Sequence, residues 1–264
     1  MMPPDSEWQL ETRHIGRRVL VYESLDSTNS FASSLAQNEN HDGLVVLARQ
    51  QLAGRGQHGR RWECPPNMGV LLSVLLFPPL ALRRPAILTA WAAVSICEAI
   101  LKITGLQAKI KWPNDVYVQG RKVCGILIEQ GRGAVVGIGL NVNQSAEMFA
   151  SAGLTLGTSL RILSQRERDV AEVAKQLIGH LDDEYARLLD GDWHTLEACW
   201  KWRIGLLGKN VIVECVGGWQ EGRLVDLTFA GLELDRPGEG RLVVQPEKIK
   251  HVTPTSEARI GREM

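Results

Sequence analysis

The sequence predicts a mixed α/β (α+β) protein in two parts, a larger part with a sheet and helices followed by a small all-β part. Three observations point there. Strand-length apolar runs alternate with helical stripes up to about residue 204. After Gly208 the texture changes to short alternating segments separated by glycine turns. A length of 264 residues suits one large domain plus a small one.

Taken in order, Asp26-Ser27-Thr28-Asn29 supplies N-caps for a short helix over 30–37, and 43–50 is apolar and β-branched like a buried strand. Another apolar run, 70–77, reads as a strand. Residues 85–103 form a long, alanine-bearing core helix stopped by Gly105. Four strand-like runs follow, 108–112, 115–119, 122–129 and 135–142, joined by Pro-Asn or glycine turns as in a meander. Val170, Val173, Ala174, Leu177, Leu181, Tyr185 and Leu188 fall at helical spacing, and 192–203 suggests a tryptophan-rich helix. Beyond it, 210–216, 220–227, 232–235 and 241–245 belong to four or five short strands of a small barrel or sheet. The expected division is 1–206, 207–256 and a frayed tail, 257–264.

Formal charge is zero, which argues against a chain devoted to non-specific nucleic-acid binding. Five cysteines without C-x-x-C spacing indicate free thiols rather than a disulfide framework or a zinc site. The first residues lack a basic-then-apolar layout, and the apolar runs read as short or amphipathic rather than membrane-length. The expected location is cytoplasmic.

The most informative segment is Arg49 to Trp62, with four arginines and no acidic residue. Gly54, Gly56 and Gly59 permit positive φ and close approach, and the guanidinium forks suit carboxylate or phosphate. These glycines spell G-x-G-x-x-G, but Pro65 and Pro66 oppose the helix a dinucleotide fold requires, and no acid lies at the required distance. Arg60 and Arg61 stand where a phosphate-binding Walker loop needs Lys and Ser/Thr, and kinase H-R-D and D-F-G are lacking. What stands is a basic glycine-rich loop between strands, either an anion site or a solvated surface loop.

Three more stretches stand out: Ser27-Thr28-Asn29; Lys111-Trp112-Pro113-Asn114-Asp115 with Lys122-Val123-Cys124-Gly125-Ile126-Leu127-Ile128-Glu129; and Gly137-Ile138-Gly139-Leu140-Asn141-Val142-Asn143. Singly they read as a helix cap, a turn with a solvated strand-end lysine, and bulges. Together with the basic loop, in this order, they make the sequence resemble the biotin protein ligases, whose signatures are S-T-N, G-R-G-R-x-G-R-x-W, K-W-P-N-D, K-x-x-G-I-L-x-E and G-x-G-x-N-x-N. The resemblance covers about residues 22–142 by motif, and extends more weakly through Thr158-Ser159-Leu160 and the small C-terminal part.

The resemblance implies a mixed-sheet catalytic domain with helices on one side, followed by an SH3-like barrel. It implies that biotin and MgATP give biotinyl-AMP and pyrophosphate, and that the biotinyl group then passes to a lysine of a biotin carboxyl carrier protein, an acetyl-CoA carboxylase subunit. By the same carry-over, Ser27, Thr28, Asn29 and Gln51 hold the ureido head of biotin. Gly54, Arg55, Gly56 and Gln57 line its carboxylate and the adenylate phosphate, with Arg60 adding positive charge. Lys122 bridges carboxylate and phosphate, and Gly125 allows close packing on the ligand. Trp62 packs the loop or stacks on adenine; Asn114 belongs to the adenylate site. Asp115 assists Mg2+ or takes a proton from the incoming lysine, and Asn141 contacts triphosphate or bound metal. No dedicated metal site is implied.

Two positions depart from the family loop: Gln57 replaces a frequent third arginine, and Leu52 a small polar residue. About 26 residues precede Ser27, too few for the operator-binding winged helix of some members, so no DNA partner and no membrane partner are expected. The rival readings are a lipoate or octanoyl protein ligase and a non-enzymatic biotin-binding protein. A homodimer is left open.

Overall fold

A computed structural model describes residues 2–256 of the chain; the expected tail, 257–264, lies outside the described residues. The elements are β1 (Ser6–Trp8), β2 (Val19–Leu25), α1 (Thr28–Leu35), β3 (Val45–Gln51), β4 (Gly69–Leu76), α2 (Pro85–Thr104), β5 (Lys109–Lys111), β6 (Asp115–Val118), β7 (Arg121–Gln130), β8 (Ala134–Asn141), α3 (Ala146–Ser151), α4 (Leu160–Ser164), α5 (Val170–Leu189), α6 (Trp193–Ile204), β9 (Asn210–Cys215), β10 (Gly218–Thr228), β11 (Gly231–Arg236), β12 (Gly240–Val244) and β13 (Ile249–Pro254). The strands β1 and β2 and the short helices α3 and α4 are additions to the elements legible in the sequence.

Eight strands form one mixed sheet in the order β1-β2-β3-β4-β8-β7-β6-β5. Its β2–β3 pair is parallel and the rest antiparallel. Side chains alternate between its faces. Val136, Ile138 and Leu140 of β8 join the main core under α2 and α5, whereas Gly137, Gly139 and Asn141 point the other way. The expectation of helices on one side only needs correcting: α1 packs on the opposite face, where Ala32 and Leu35 meet Leu20, Tyr22, Val46, Leu75 and Val135. A helix of eight residues covers only part of that face, and the functional residues occupy the opening beside it.

Helix α2 starts with Pro85 at its first turn and ends on Gly105, whose φ of 74° lets its N–H reach Leu101 O at 2.8 Å. Contrary to the expectation from the sequence, it is long and apolar enough to cross a membrane by length and composition. Its burial explains the apolarity: Ile87, Leu88, Trp91, Ile96 and Ile100 sit in the core with α5 and the sheet. Asp182 of α5, also buried, accepts the backbone N–H groups of Arg13, His14 and Ile15 at 2.7–2.8 Å and so moors the chain ahead of β2.

The remaining five strands form an antiparallel sheet, β12-β11-β10-β9-β13, with β12 and β13 as its edges. It shares the main core rather than having a separate one. Trp200 of α6 lies between Trp112 (5.5 Å between ring centroids) and Phe229 (5.3 Å). At the rim, Lys201 Nζ meets Asp226 Oδ1 at 2.9 Å and Glu197 Oε1 at 3.1 Å.

Candidate functional site

Strand register builds the floor of the site. Leu71, Gly139, Gly125 and Asp115 lie in one row across β4, β8, β7 and β6, and Ser73, Gly137 and Leu127 in the next. The glycines leave room that any side chain would fill. A Cβ on Gly137 would clash with Asn29 Oδ1, one on Gly139 with the Trp62 indole, and one on Gly125 would lie 2.8 Å from Trp62 Cζ3. Gly125 and Gly139 therefore leave space for a tryptophan of the protein itself, and Gly125 also lines the cavity described below. Trp62 packs the loop onto the sheet and keeps part of its surface in the cavity lining.

The N-terminus of α1 brings in the S-T-N segment. Ser27 caps the helix, its Oγ accepting Ser30 N–H at 3.5 Å. The N–H and hydroxyl of Thr28 both donate to Gln51 Oε1, at 2.8 and 3.0 Å. Ser73 Oγ stands 2.8 Å from Thr28 Oγ1 and 2.6 Å from Asn29 Oδ1, and Asn29 Nδ2 donates to Glu129 Oε2 at 2.8 Å. Ser27, Thr28, Asn29 and Ser73 are all buried. These side chains pair with one another, so the network is held in place before any ligand joins it.

The basic loop between β3 and β4 is folded back as a small hairpin. Gly56 N–H donates to Arg60 O (2.7 Å), Arg60 N–H to Gln57 O (3.1 Å) and Trp62 N–H to Gly54 O (3.0 Å). Of its three glycines only Gly59, at φ 74°, uses positive φ, and the non-glycine His58 does the same at φ 56°. Gly54 is instead required by space, since a Cβ there would strike Trp62 O. Arg55 NH2 pairs with Glu129 Oε2 at 2.8 Å.

Opposite the loop, Lys122 Nζ lies 2.6 Å from Asp115 Oδ1 and 5.6 Å from the centroid of Trp62, so the loop tryptophan screens one side of the ammonium. Asn114 fixes the turn that carries Asp115: its Nδ2 donates to Ile126 O at 2.6 Å and its backbone carbonyl accepts Ile126 N–H at 3.0 Å. The Asn141 side chain is engaged at both ends, its Nδ2 donating to Thr158 O at 3.0 Å and its Oδ1 accepting from Gln144 Nε2 at 2.9 Å. That amide braces the 157–159 segment behind Lys122, and Asn141 also lines the cavity described below.

Ser27, Thr28, Asn29, Gln51, Arg55, Gly56, Gln57, Arg60, Trp62, Asn114, Asp115, Lys122, Gly125 and Asn141 all line one cavity of about 650 Å³; Gly54 lies outside it, on the outer side of the loop. The cavity also has walls to which the sequence reading gave no role: Lys111, Tyr117, the 154–157 segment, and Trp219 and His251 of the second sheet. Lys111 and Tyr117 had a signal, being in or beside K-W-P-N-D; Trp219 and His251 had none. Burial, opposed by the Gln144 contact, pushes the nearby Cys64 thiol up to about 12, so it is no thiolate nucleophile near neutrality. Among the described residues no three His, Cys, Asp or Glu side chains gather as a metal site.

The model of the biotin/lipoate A/B protein ligase family matches residues 21–143. The chain is 30% identical over 237 residues to the bifunctional ligase/repressor BirA of Bacillus subtilis, covering 88% of this chain and 73% of that protein. It is also 30% identical to the biotin--[acetyl-CoA-carboxylase] ligase of Mycobacterium tuberculosis, covering 92% of this chain and 90% of the relative. Among solved structures, the biotin protein ligase of Aquifex aeolicus in complex with biotin and ATP superposes with a TM-score of 0.76 at 25% identity, covering 90% of this chain and 99% of the other.

Proposed function

Since the chain belongs to the biotin/lipoate A/B protein ligase family, we infer that it ligates biotin, at the expense of ATP, to a lysine of the biotin carboxyl carrier protein of acetyl-CoA carboxylase. One observation carries this reading. A single cavity holds a buried polar cluster suited to a neutral, hydrogen-bonding head at one end, and Lys122 facing an arginine loop at the other. An acid with a polar head can join the hydrogen bonding at Thr28, Gln51 and Ser73, whereas lipoate and octanoate would lay an apolar chain against that polar cluster.

In the first step a carboxylate oxygen attacks the α-phosphorus of ATP, forming the biotinyl-AMP anhydride and breaking the bond to pyrophosphate. Two anions must approach, so the barrier falls with the fixed positive charge around them. Arg55, Arg60 and Lys122 supply it. Magnesium, when bound, comes with the ATP phosphates and offsets part of their charge; the chain offers Asp115 toward it, a single carboxylate already paired with Lys122. In the second step the acceptor amine attacks the anhydride carbonyl, AMP leaves, and the amine loses a proton. Asp115, beside Lys122, is placed to accept that proton, and Lys122 then faces the tetrahedral oxyanion.

The neutral net charge supports a ligase working without DNA, and five free thiols, with Cys97 and Cys124 buried, suit a reducing, cytoplasmic setting. Incubation with labelled biotin, MgATP and a biotin carrier domain tests the reading. Label on the carrier lysine is the expected result; label transfer from lipoate or octanoate but not from biotin overturns it.

A further inference from the structure

Glu129 has no role in the chemistry above, yet it joins the two ends of the cavity. Residues 125, 127 and 129 of β7 share the site face of the sheet, and Glu129 is the last of them. A single oxygen, Oε2, accepts from Asn29 Nδ2 at 2.8 Å and from Arg55 NH2 at 2.8 Å. Asn29 is buried in the polar head cluster, whereas Arg55 belongs to the basic loop and is otherwise half exposed.

We propose that Glu129 is a positioning residue: it pins one edge of the Arg55 guanidinium against the head cluster, so that the other edge faces the carboxylate of the bound acid. This rests on the biotin reading above. The physical reason is the shape of arginine. Its planar fork has five N–H donors, and the NH2 group held by Glu129 leaves Nε and NH1 for a ligand. An arginine on a glycine-flanked loop has many rotamers, and fixing it before the anion arrives removes an entropic cost from binding. The negative charge of Glu129 opposes that gain, because it offsets some of the attraction of Arg55 for the ligand. Direct contact with one oxygen and the remaining donors make anchoring the larger effect.

The test compares biotin with its methyl ester, which keeps the rings and loses the charge. Glu129→Gln is isosteric and retains an oxygen to accept from Asn29, but it exchanges an ion pair with Arg55 for a hydrogen bond to an uncharged, weaker acceptor. Calorimetry on this variant is expected to show biotin binding about five- to tenfold more weakly while ester affinity changes less than twofold. In an Arg55→Ala background the same substitution is expected to leave biotin affinity unchanged, with melting temperatures confirming that each variant is folded. Equal losses for acid and ester would reduce Glu129 to a support for Asn29 and overturn the proposal. Tighter binding of the acid would overturn it too, making Glu129 a competitor for Arg55. Failure of the wild-type protein to bind biotin at all would instead remove the functional reading beneath it.

Discussion

Lys122 lies in the cavity held by Asp115 and flanked by Trp62, and the biotin reading sets it at the reacting carboxylate and phosphate. Lys122→Ala is expected to fold and to lose adenylate synthesis by about a hundredfold to a thousandfold, the range seen when one preorganised charge is removed from a reaction centre. Pyrophosphate release is the measurement; a wild-type rate would remove Lys122 from the chemistry. The glycine floor makes a second residue-scale prediction. Gly139→Ala places a methyl group inside the Trp62 indole, a rigid ring that can only move away, so adenylate formation is expected to fall. Adding Gly139→Ala to Trp62→Ala should bring no further loss, because the obstacle is gone. Gln57 is the third case. It lines the cavity where relatives of this loop type often carry arginine. Gln57→Arg is expected to lengthen the residence of biotinyl-AMP about fivefold, since a charge-assisted contact to phosphate exceeds an amide contact by roughly 1 kcal/mol. Equal or faster release would show that His58 or Arg61 already supplies the clamp.

At the scale of an element, the basic loop has more structure than its composition suggests. Its hairpin hydrogen bonds and the Arg55–Glu129 pair hold it over the sheet, but most of its side chains are partly or fully exposed and its apolar anchoring comes chiefly from Trp62. Few buried contacts mean low local stability. Biotinyl-AMP is therefore expected to slow amide exchange across residues 52–62 and to shield the anhydride from water. Unchanged exchange on adding the adenylate would show that the loop is already closed. The loop was legible as an anion site from its arginines and glycines. Its conformation was not, because the residue in the left-handed region beside Gly59 is His58, and Gly54 is demanded by the carbonyl of Trp62 eight residues on.

For the whole molecule, the shared core implies one cooperative unit despite two sheets. Trp200→Ala empties a space between Trp112 and Phe229 and is expected to cost about 3–5 kcal/mol. Because that cluster supports both sheets, calorimetry should show a single transition moving down in temperature; two separating transitions would mean independent domains. The rim has a pH signature. The hydrogen bond from Lys201 holds the Asp226 carboxyl below its ordinary range, against partial desolvation. A depressed folded-state pKa contributes stability that is present above the unfolded value, about 3.9, and is lost as pH falls through the folded one. Asp226→Asn should therefore lower the melting temperature near neutrality, and the difference should shrink below about pH 4. With Asp226 45% exposed the effect is expected to be small, of the order of a surface pair.

Sequence alone determined the chemistry of this chain and most of its elements. The capped S-T-N helix start, the Pro85-to-Gly105 helix and the strand pairs around K-W-P-N-D and G-x-G-x-N are local patterns of capping, turn chemistry and period-2 alternation, each readable within a few residues. The tertiary structure decided what those residues touch. Only sheet register sets Gly139 against Gly125 and places Trp62 over both, and only the crossing of β7 past α1 brings Glu129 to Asn29 and Arg55, 100 and 74 residues away. Asn114 and Asn141, singled out by their motifs, line the cavity and also brace the backbone around it. Trp219 and His251 reach the cavity from a second sheet with no motif to announce them. Local hydrogen bonding and hydrophobic period are encoded along the chain, whereas a side chain's partner across a sheet depends on every strand that closes the distance between them.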